Sequence, residues 1–198
     1  MDRLIEFAEA ELQETGPVRF NLVNVLERAG VSRSSAYHHF GDREGLIAAV
    51  ELKHHIDSMR RVNELLRVAV ETSSDPGVLM DSIVFHLGQE GTEKGHLGRR
   101  RRIYTLAAGQ GSGLLSDRIS AEQRDVSDYL AGTISIARGK RMIKPSVSDM
   151  AIAQFVLSVM FGRVLVDLTG RSVDDDAWME GVVSALRGML NVQGGERS

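Results

Sequence analysis

The chain of 198 residues contains no cysteine, only three prolines and few aromatic side chains. The absence of cysteine excludes disulfides, thiolate metal sites and cysteine nucleophiles, so the fold must be stabilised by packing. The sequence also lacks the run of about 18 apolar residues that a membrane-spanning helix needs, and its acidic N-terminus is unlike a secretion signal. We therefore expect a cytoplasmic protein with no membrane partner.

The charges are nearly balanced, with a formal net charge of −3 at pH 7. Such a chain has no global attraction to nucleic acid, so any polyanion must bind at a local patch. No pair among His54, His55, His86 and His96 has the i, i+4 spacing of a helical metal site, and no nucleophile and base converge in the pattern. We therefore expect no metal, no cofactor and no enzymatic activity.

Apolar residues recur at helical spacing along almost the whole chain, and sustained period-two alternation is hard to find. The pattern predicts an all-α protein of about nine helices, with glycine, proline and capping residues at the boundaries. The predicted helices are one that ends at Gly16-Pro17, one between Asn21 and Gly30, a short one after Ser32, one from about Arg43 to Glu71, and helices over 77–90, 96–108, 114–138, 146–169 and 174–191.

Residues 21–46, NLVNVLERAGVSRSSAYHHFGDREGL, contain two short predicted helices joined by a tight turn. Gly30 supplies the left-handed backbone that the turn needs, and Ser32 can cap the second helix. This arrangement predicts a helix-turn-helix, whose second helix enters the major groove of DNA. The side chains exposed on that helix are donors and rings suited to phosphates and bases, namely Arg33, Ser34, Ser35, Tyr37, His38 and His39.

Residues 29–46, AGVSRSSAYHHFGDREGL, resemble the recognition segment of the TetR family of bacterial one-component transcriptional regulators. The resemblance is strong over residues 1–50 and architectural beyond them. It implies that Tyr37 and Arg43 anchor the DNA backbone and that Asn21 occupies a phosphate-contacting position. It also implies that bases are faced by Arg33, Ser34, Ser35 and His38, while Ser32 and His39 complete the predicted DNA-binding set.

Two departures from the family pattern bear on these expectations. Leu26 stands where the family has alanine, and Ala36 where it has a larger aliphatic residue. Because these positions face each other, we interpret them as a compensating exchange of volume. Residues 1–50 also carry five arginines against eight carboxylates, mostly on the first helix, so we expect few phosphate contacts and a modest DNA affinity.

The resemblance implies an N-terminal three-helix helix-turn-helix domain over residues 1–50 and a helical effector-binding and dimerisation domain over residues 51–198. The helix over 146–169 is apolar around nearly its whole circumference, and the helix over 174–191 has a wide apolar stripe, so both need burial on more than one side. A twofold four-helix interface would provide it. The predicted interface residues are Ala153, Val156, Met160, Val164, Trp178, Val182 and Leu186.

In the family, aromatic and polar residues of the middle helices converge on an effector pocket. The predicted wall residues are Phe85, His86, Tyr104, Tyr129 and Phe155, and core packing is at least as good an explanation for each. The run Arg99-Arg100-Arg101-Arg102 is interpreted as a solvated surface. An alternative hypothesis pairs these arginines with the acidic first helix, where they would transmit the ligand signal.

These features predict a dimeric TetR-type transcriptional regulator, most often a repressor in that family, which binds a palindromic double-stranded DNA operator and is released by a small-molecule effector. An activator on the same scaffold is one alternative, and no residue separates the two. The acidic first domain supports another, a helical interaction protein that has lost DNA binding.

Overall fold

The computed structural model describes residues 2–91, 95, 96, 98, 99, 114–169 and 174–192. The described ranges contain no strand, only an isolated bridge between Ile143 and Val192, so the predicted all-α class is confirmed. Most of the predicted helix 96–108, with Tyr104 and Arg100–Arg102, lies outside these ranges. The helices within them are α1 (Asp2–Arg19), α2 (Leu22–Ala29), α3 (Arg33–Phe40), α4 (Arg43–Thr72), α5 (Pro76–Gly91), α6 (Leu114–Gly139), α7 (Asp149–Asp167) and α8 (Asp175–Leu190).

Helix α1 is interrupted at Gly16, as the Gly16-Pro17 pair predicted. Gly16 has φ 72° and ψ 170°, a conformation that only glycine adopts without strain. Pro17 then opens a last helical turn, where its missing N–H breaks no hydrogen bond. The interruption redirects the chain toward the start of α2.

The chain divides into two compact units. The first comprises Met1–Ile56 and Arg101–Glu122, and the second comprises Asp57–Arg100 and Gln123–Ser198. Helices α4 and α6 each contribute their first part to the first unit and their second part to the other. The functional division at residue 50 remains a prediction.

The core of the first unit is built by α1, α2, α3 and the start of α4. Leu4, Ala8 and Leu12 form the inward stripe of α1 and are almost fully buried. Leu26 and Ala36, the pair interpreted as an exchange of volume, are buried in the same cluster. The cluster consists of Leu4, Ile5, Ala8, Leu12, Phe20, Leu22, Val25, Leu26, Ala29, Ala36, Phe40, Leu46, Ile47, Ala49 and Val50.

The core of the second unit is shared by the later part of α4, by α5, by the later part of α6, and by α7 and α8. Met59, Leu66 and Val70 line the buried side of α4. Ile152, Ala153 and Leu157 of α7 belong to the same cluster. This core explains the apolar character of α7, because one of its faces is covered within a single chain.

The burial of α7 and α8 changes the predicted subunit interface. Ala153, Met160, Val164 and Leu186 are all less than 7% exposed inside the second unit, so they are core residues of one protomer. Val156, Trp178 and Val182 are half-buried. The apolar side chains of this region that point outward are instead Leu165 and Leu168, which are 66% and 64% exposed. An all-round apolar pattern does not distinguish the buried side from the outward side, and the interface role of the half-buried residues stays a prediction.

By length and composition alone, α7 is apolar enough to cross a membrane, and it is the one helix in the described ranges that passes this test. The core helices of soluble proteins pass the same test. In this protein α7 contributes to a packed core and buries Arg163 in contact with carboxylates.

Candidate nucleic-acid interface and internal cavity

The turn between α2 and α3 has the geometry of a helix-turn-helix. Gly30 adopts φ 68° and ψ 32°, and its N–H donates to the carbonyl oxygens of Glu27 and Leu26. The Val31 N–H also donates to the Leu26 carbonyl, at 3.1 Å. The Ser32 hydroxyl oxygen accepts a hydrogen bond of 3.2 Å from the backbone N–H of Ser35, so α3 begins at Arg33. The predicted turn and cap are therefore present.

Helix α3 has little apolar surface to bury. Ala36 and Phe40 are its buried residues, and they attach the helix to the core of the first unit. Its sequence contains no carboxylate, so it brings no negative charge toward a phosphate. The predicted DNA-binding side chains on α3 lie at the surface: Arg33, Ser34, Tyr37 and His38 are exposed, and Ser35 and His39 are half-buried.

Asn21 has a structural role beside its predicted phosphate contact. It is the exposed N-cap of α2, and its side-chain oxygen accepts hydrogen bonds from the backbone N–H groups of Val23 and Asn24 at 3.1 and 3.2 Å. This cap satisfies two amides that the first turn of a helix otherwise leaves open. The side-chain N–H₂ is the group with which Asn21 could donate to a phosphate.

Arg43 was predicted to anchor the DNA backbone, and the structure shows its guanidinium folded onto the chain itself. Its Nε donates to the Phe20 carbonyl at 3.2 Å, and its Nη2 donates to the Pro17 carbonyl. Its Nη1 forms an ion pair of 2.8 Å with Glu44. Arg43 thus joins the start of α4 to the segment that leads into α2, and its side chain remains 30% exposed.

Glu11 is a structural residue that sequence reasoning missed. Its carboxylate accepts hydrogen bonds from the Asn21 N–H at 3.2 Å and from the Asn24 side chain at 2.8 Å, while Arg28 lies 3.9 Å away. Glu11 is 4% exposed. Sequence analysis gave Glu11 no role of its own, although it lies at helical spacing from Leu4 and Ala8 on the buried stripe. This spacing in the sequence could have indicated that Glu11 is buried.

The second unit contains an internal cavity of about 80 Å³. Its lining among the described residues is almost entirely aliphatic, with Asn63, His86 and Thr133 as the polar members. None of these described lining residues is a lysine, arginine, aspartate or glutamate. The lining residues are Met59, Val62, Asn63, Leu66, Val70, Leu79, Ile83, His86, Leu87, Leu130, Thr133, Ile134, Ala137, Ile143, Ile152, Val156, Met160, Leu186 and Leu190.

Of the predicted effector residues, His86 lines this cavity, and burial lowers the pKa of its imidazole below the ordinary value. Phe85 is 61% exposed and lines no part of it. Phe155 packs instead against the cluster of Leu87, Met160 and Leu186. The aliphatic residues that form most of the cavity wall were not among the predicted residues, and the effector role of the predicted set stays a prediction.

Tyr129 lies in a separate, more polar groove between α4 and α6. The groove is lined by Arg60, Arg61, Asn63, Glu64, Asp125, Val126 and Tyr129. The Tyr129 hydroxyl donates to Glu64, and the guanidinium of Arg67 lies 5.1 Å from the centre of the tyrosine ring. The hydrogen bond to Glu64 is the main cause of a raised pKa for Tyr129. Asn63 lines both the groove and the cavity.

Arg99 is not on a solvated surface, so that interpretation of this residue was wrong. It is 1% exposed, and its Nε and Nη2 donate to the two carboxylate oxygens of Asp167 at 2.7 and 3.1 Å. Arg163 lies 4.0 Å from the same carboxylate and 3.2 Å from that of Asp175. Burial acts to raise the pKa of Asp167, but the hydrogen bonds and charge of Arg99, with smaller contributions from Arg163, lower it overall.

A capped helix-turn-helix followed by further helices in the described ranges is the arrangement found in helix-turn-helix DNA-binding proteins. Within that class, residues 4–50 match the model of the family described as "Bacterial regulatory proteins, tetR family". This match covers all three helices of the N-terminal domain and the start of α4.

Solved structures extend the likeness over the whole chain. The reduced form of E. coli NemR has a TM-score of 0.62 at 16% identity, over 97% of this chain and 98% of that one. The TetR-family repressor QsdR of R. erythropolis has a TM-score of 0.61 at 16% identity, over 100% and 97% of the two chains. A TetR-family regulator from Cytophaga hutchinsonii gives 0.62 at 15% identity, over 97% and 95%.

None of the curated proteins compared is significantly similar to this chain in sequence. The predicted resemblance is nevertheless confirmed by the match of the N-terminal domain and by the shared fold. The N-terminal region is therefore similar to the DNA-binding domain of TetR-family regulators, and the chain shares the fold of solved TetR-family proteins.

Proposed function

We propose that the protein is a dimeric repressor in the cytoplasm that binds a palindromic DNA operator through α3 and releases it when a small molecule occupies the internal cavity. The observation that carries this proposal is the distribution of side chains on α3. Two apolar residues, Ala36 and Phe40, hold the helix to the core. Its exposed face offers Arg33, Tyr37 and His38, which can donate to base edges and phosphates.

A dimer supplies the second recognition helix that a palindromic operator requires. The proposed contact uses α7 and α8: Leu165 and Leu168 are exposed at the end of α7, and small residues such as Gly181 and Ala185 are exposed on α8. Small side chains allow helices to approach closely, and the exposed leucines supply apolar area to bury. A palindromic operator requires the two α3 helices of the dimer to lie about 34 Å apart, the separation of successive major grooves.

Operator binding is tested with full-length protein and duplexes selected from a random pool, by fluorescence anisotropy at several salt concentrations. We expect Arg33→Ala to cost about 1–3 kcal/mol on the selected duplex and to relax base preference at one position of each half-site. Tyr37→Phe should weaken binding to all duplexes alike, because a phosphate contact carries no base information. Arg124→Ala, on the exposed surface of α6, is the matched control and should change nothing.

The alternative of an interaction protein that has lost DNA binding is favoured by the excess of carboxylates over arginines in residues 1–50. It would be supported if the wild-type protein bound no duplex at low salt, where phosphate contacts are strongest. An activator would be distinguished by a reporter gene placed behind the selected operator. Deletion of the regulator should raise expression for a repressor and lower it for an activator.

A further inference from the structure

Asn63 is a buried polar residue in the second half of α4, whose first half also buries Glu51 and His55. It lies at helical spacing between Met59 and Leu66, both of which are core residues, and it is only 3% exposed. Its side-chain nitrogen Nδ2 is buried and has no hydrogen-bond partner among the described residues. A buried amide donor without a partner is destabilising by about 1–3 kcal/mol, so an apolar residue would suit this position better for folding alone.

The groups around Asn63 Nδ2 determine what kind of ligand could accept a hydrogen bond from it. The cavity wall is aliphatic apart from Asn63, His86 and Thr133, and the Thr133 hydroxyl already donates to the Tyr129 carbonyl at 3.1 Å. Among the described residues that line the wall, none carries a carboxylate, ammonium or guanidinium group, so an ionised ligand would lose its hydration without gaining a counter-charge from them.

The size of the cavity sets a further limit. At about 80 Å³ it is small. An engineered apolar cavity of roughly 150 Å³ is known to accept benzene. Met59 and Met160 both contribute to the wall, and their unbranched, flexible side chains can move to enlarge it. A ligand of single-ring size is therefore the upper limit, and it fits only if these methionine side chains move.

From these observations we propose that the cavity binds a neutral, compact, mainly hydrocarbon molecule with one hydrogen-bond acceptor, such as a ketone, aldehyde or ester oxygen, which accepts from Asn63 Nδ2. The proposed ligand would control DNA binding only if the proposed function is correct. Binding of the ligand to the cavity does not depend on that function. Asn63 also lines the groove between α4 and α6.

The test compares two probes of nearly equal shape, cyclohexanone and methylenecyclohexane, binding to the full-length protein without DNA. Affinities are measured by calorimetry or by displacement of a fluorescent apolar dye. The quantity of interest is the ratio of the two affinities, because the ketone loses more hydration than the hydrocarbon. In Asn63→Leu we expect this ratio to fall about three- to tenfold, the amount expected for one hydrogen bond.

Leucine at position 63 removes an unsatisfied group from an apolar site, so the variant should fold and its thermal midpoint should not decrease. His86→Leu is the matched comparison, because it removes the other polar side chain of the wall that carries an N–H. If the ketone-to-hydrocarbon affinity ratio is unchanged in Asn63→Leu, the assignment is overturned. It is also overturned if this ratio falls in His86→Leu and not in Asn63→Leu. Failure of both probes to bind the wild type would also overturn it.

Two further measurements separate this inference from the proposed function. Cyclohexanecarboxylate should bind at least tenfold more weakly than cyclohexanone, and equal binding would contradict the requirement for a neutral ligand. Cyclohexanone is then titrated into the preformed complex with the selected operator. Ketone-selective binding that leaves operator affinity unchanged would support the ligand class and refute effector control of DNA binding.

Discussion

Glu11, Asn21 and Arg43 fix the course of the chain around the helix-turn-helix through hydrogen bonds with backbone groups. Asn21 caps α2, Arg43 joins the chain before α2 to α4, and Glu11 binds α1 to the start of α2. Each makes at least one bond to a main-chain group, so each fixes the course of the chain. We therefore expect changes at these positions to affect stability as well as DNA binding.

Glu11→Ala should lower the free energy of unfolding by about 2–4 kcal/mol, because the Asn21 N–H and the Asn24 amide would lose a charged acceptor in a buried site. Urea unfolding followed by circular dichroism measures the change. Glu14→Ala is the matched control, since Glu14 is exposed on the same helix. Equal, small effects of the two substitutions would show that the buried carboxylate does not hold α1 to α2.

His86 gives stability a pH dependence with a definite sign. Burial lowers the pKa of the folded-state imidazole, so between that pKa and the ordinary value of about 6.5 the unfolded chain binds more protons than the folded one. Stability should therefore decrease as the pH falls below about 6.5 and level off below the folded-state pKa. Unfolding measured from about pH 8 to about pH 5 should show a smaller decrease in His86→Leu than in the wild type. If the unfolding free energies of the wild type and His86→Leu decrease equally with falling pH, His86 is not the source of the pH dependence.

The helices differ in which of their faces are buried within one protomer. Helix α3 is attached by two buried residues and has a polar outer face, whereas α7 is buried on one side by its own protomer and exposes Leu165 and Leu168 on the other. The first arrangement leaves hydrogen-bonding groups available to a nucleic acid. The second leaves apolar area available to a second copy of the chain.

Substitutions on the two sides of α7 should have different effects. Leu165→Glu changes an exposed residue and should weaken the proposed dimer while leaving the protomer folded. Met160→Glu buries an unpaired carboxylate and should destabilise the protomer by several kcal/mol. Sedimentation equilibrium at micromolar concentration measures assembly, and circular dichroism measures folding. A wild-type protein that sediments as a folded monomer would refute the interface.

At the scale of the whole molecule, the proposed function requires that ligand and operator influence each other by the same factor. If a cavity ligand weakens operator binding, the operator must weaken ligand binding equally, because both effects are one coupling free energy. We expect a coupling of about 1–3 kcal/mol, or roughly 5–150-fold in affinity. The ligand affinity is measured with and without saturating operator, and unequal factors would mean that the ligand acts at a second site.

Much of the fold could be predicted because it depends on residues close together in sequence. Apolar periodicity located α4, α5 and α6 to within a few residues, and Asn21, Gly30 and Ser32 marked the ends of α2 and α3 through hydrogen bonds spanning two to four residues. The same short segment indicated the TetR-type recognition motif. These features are local, so the order of the amino acids is sufficient to specify them.

Tertiary structure decided the features that join distant segments. Periodicity shows that α7 is apolar all round, but only packing determines that Met160 faces the core and Leu165 faces outward. The pairing of Arg99 with Asp167 spans 68 positions, and the cavity around Asn63 forms where four other helices meet α4. Burial and long-range pairing depend on which faces meet in space. The sequence pattern shows which residues are able to make such contacts. The packing of the core determines which of them do.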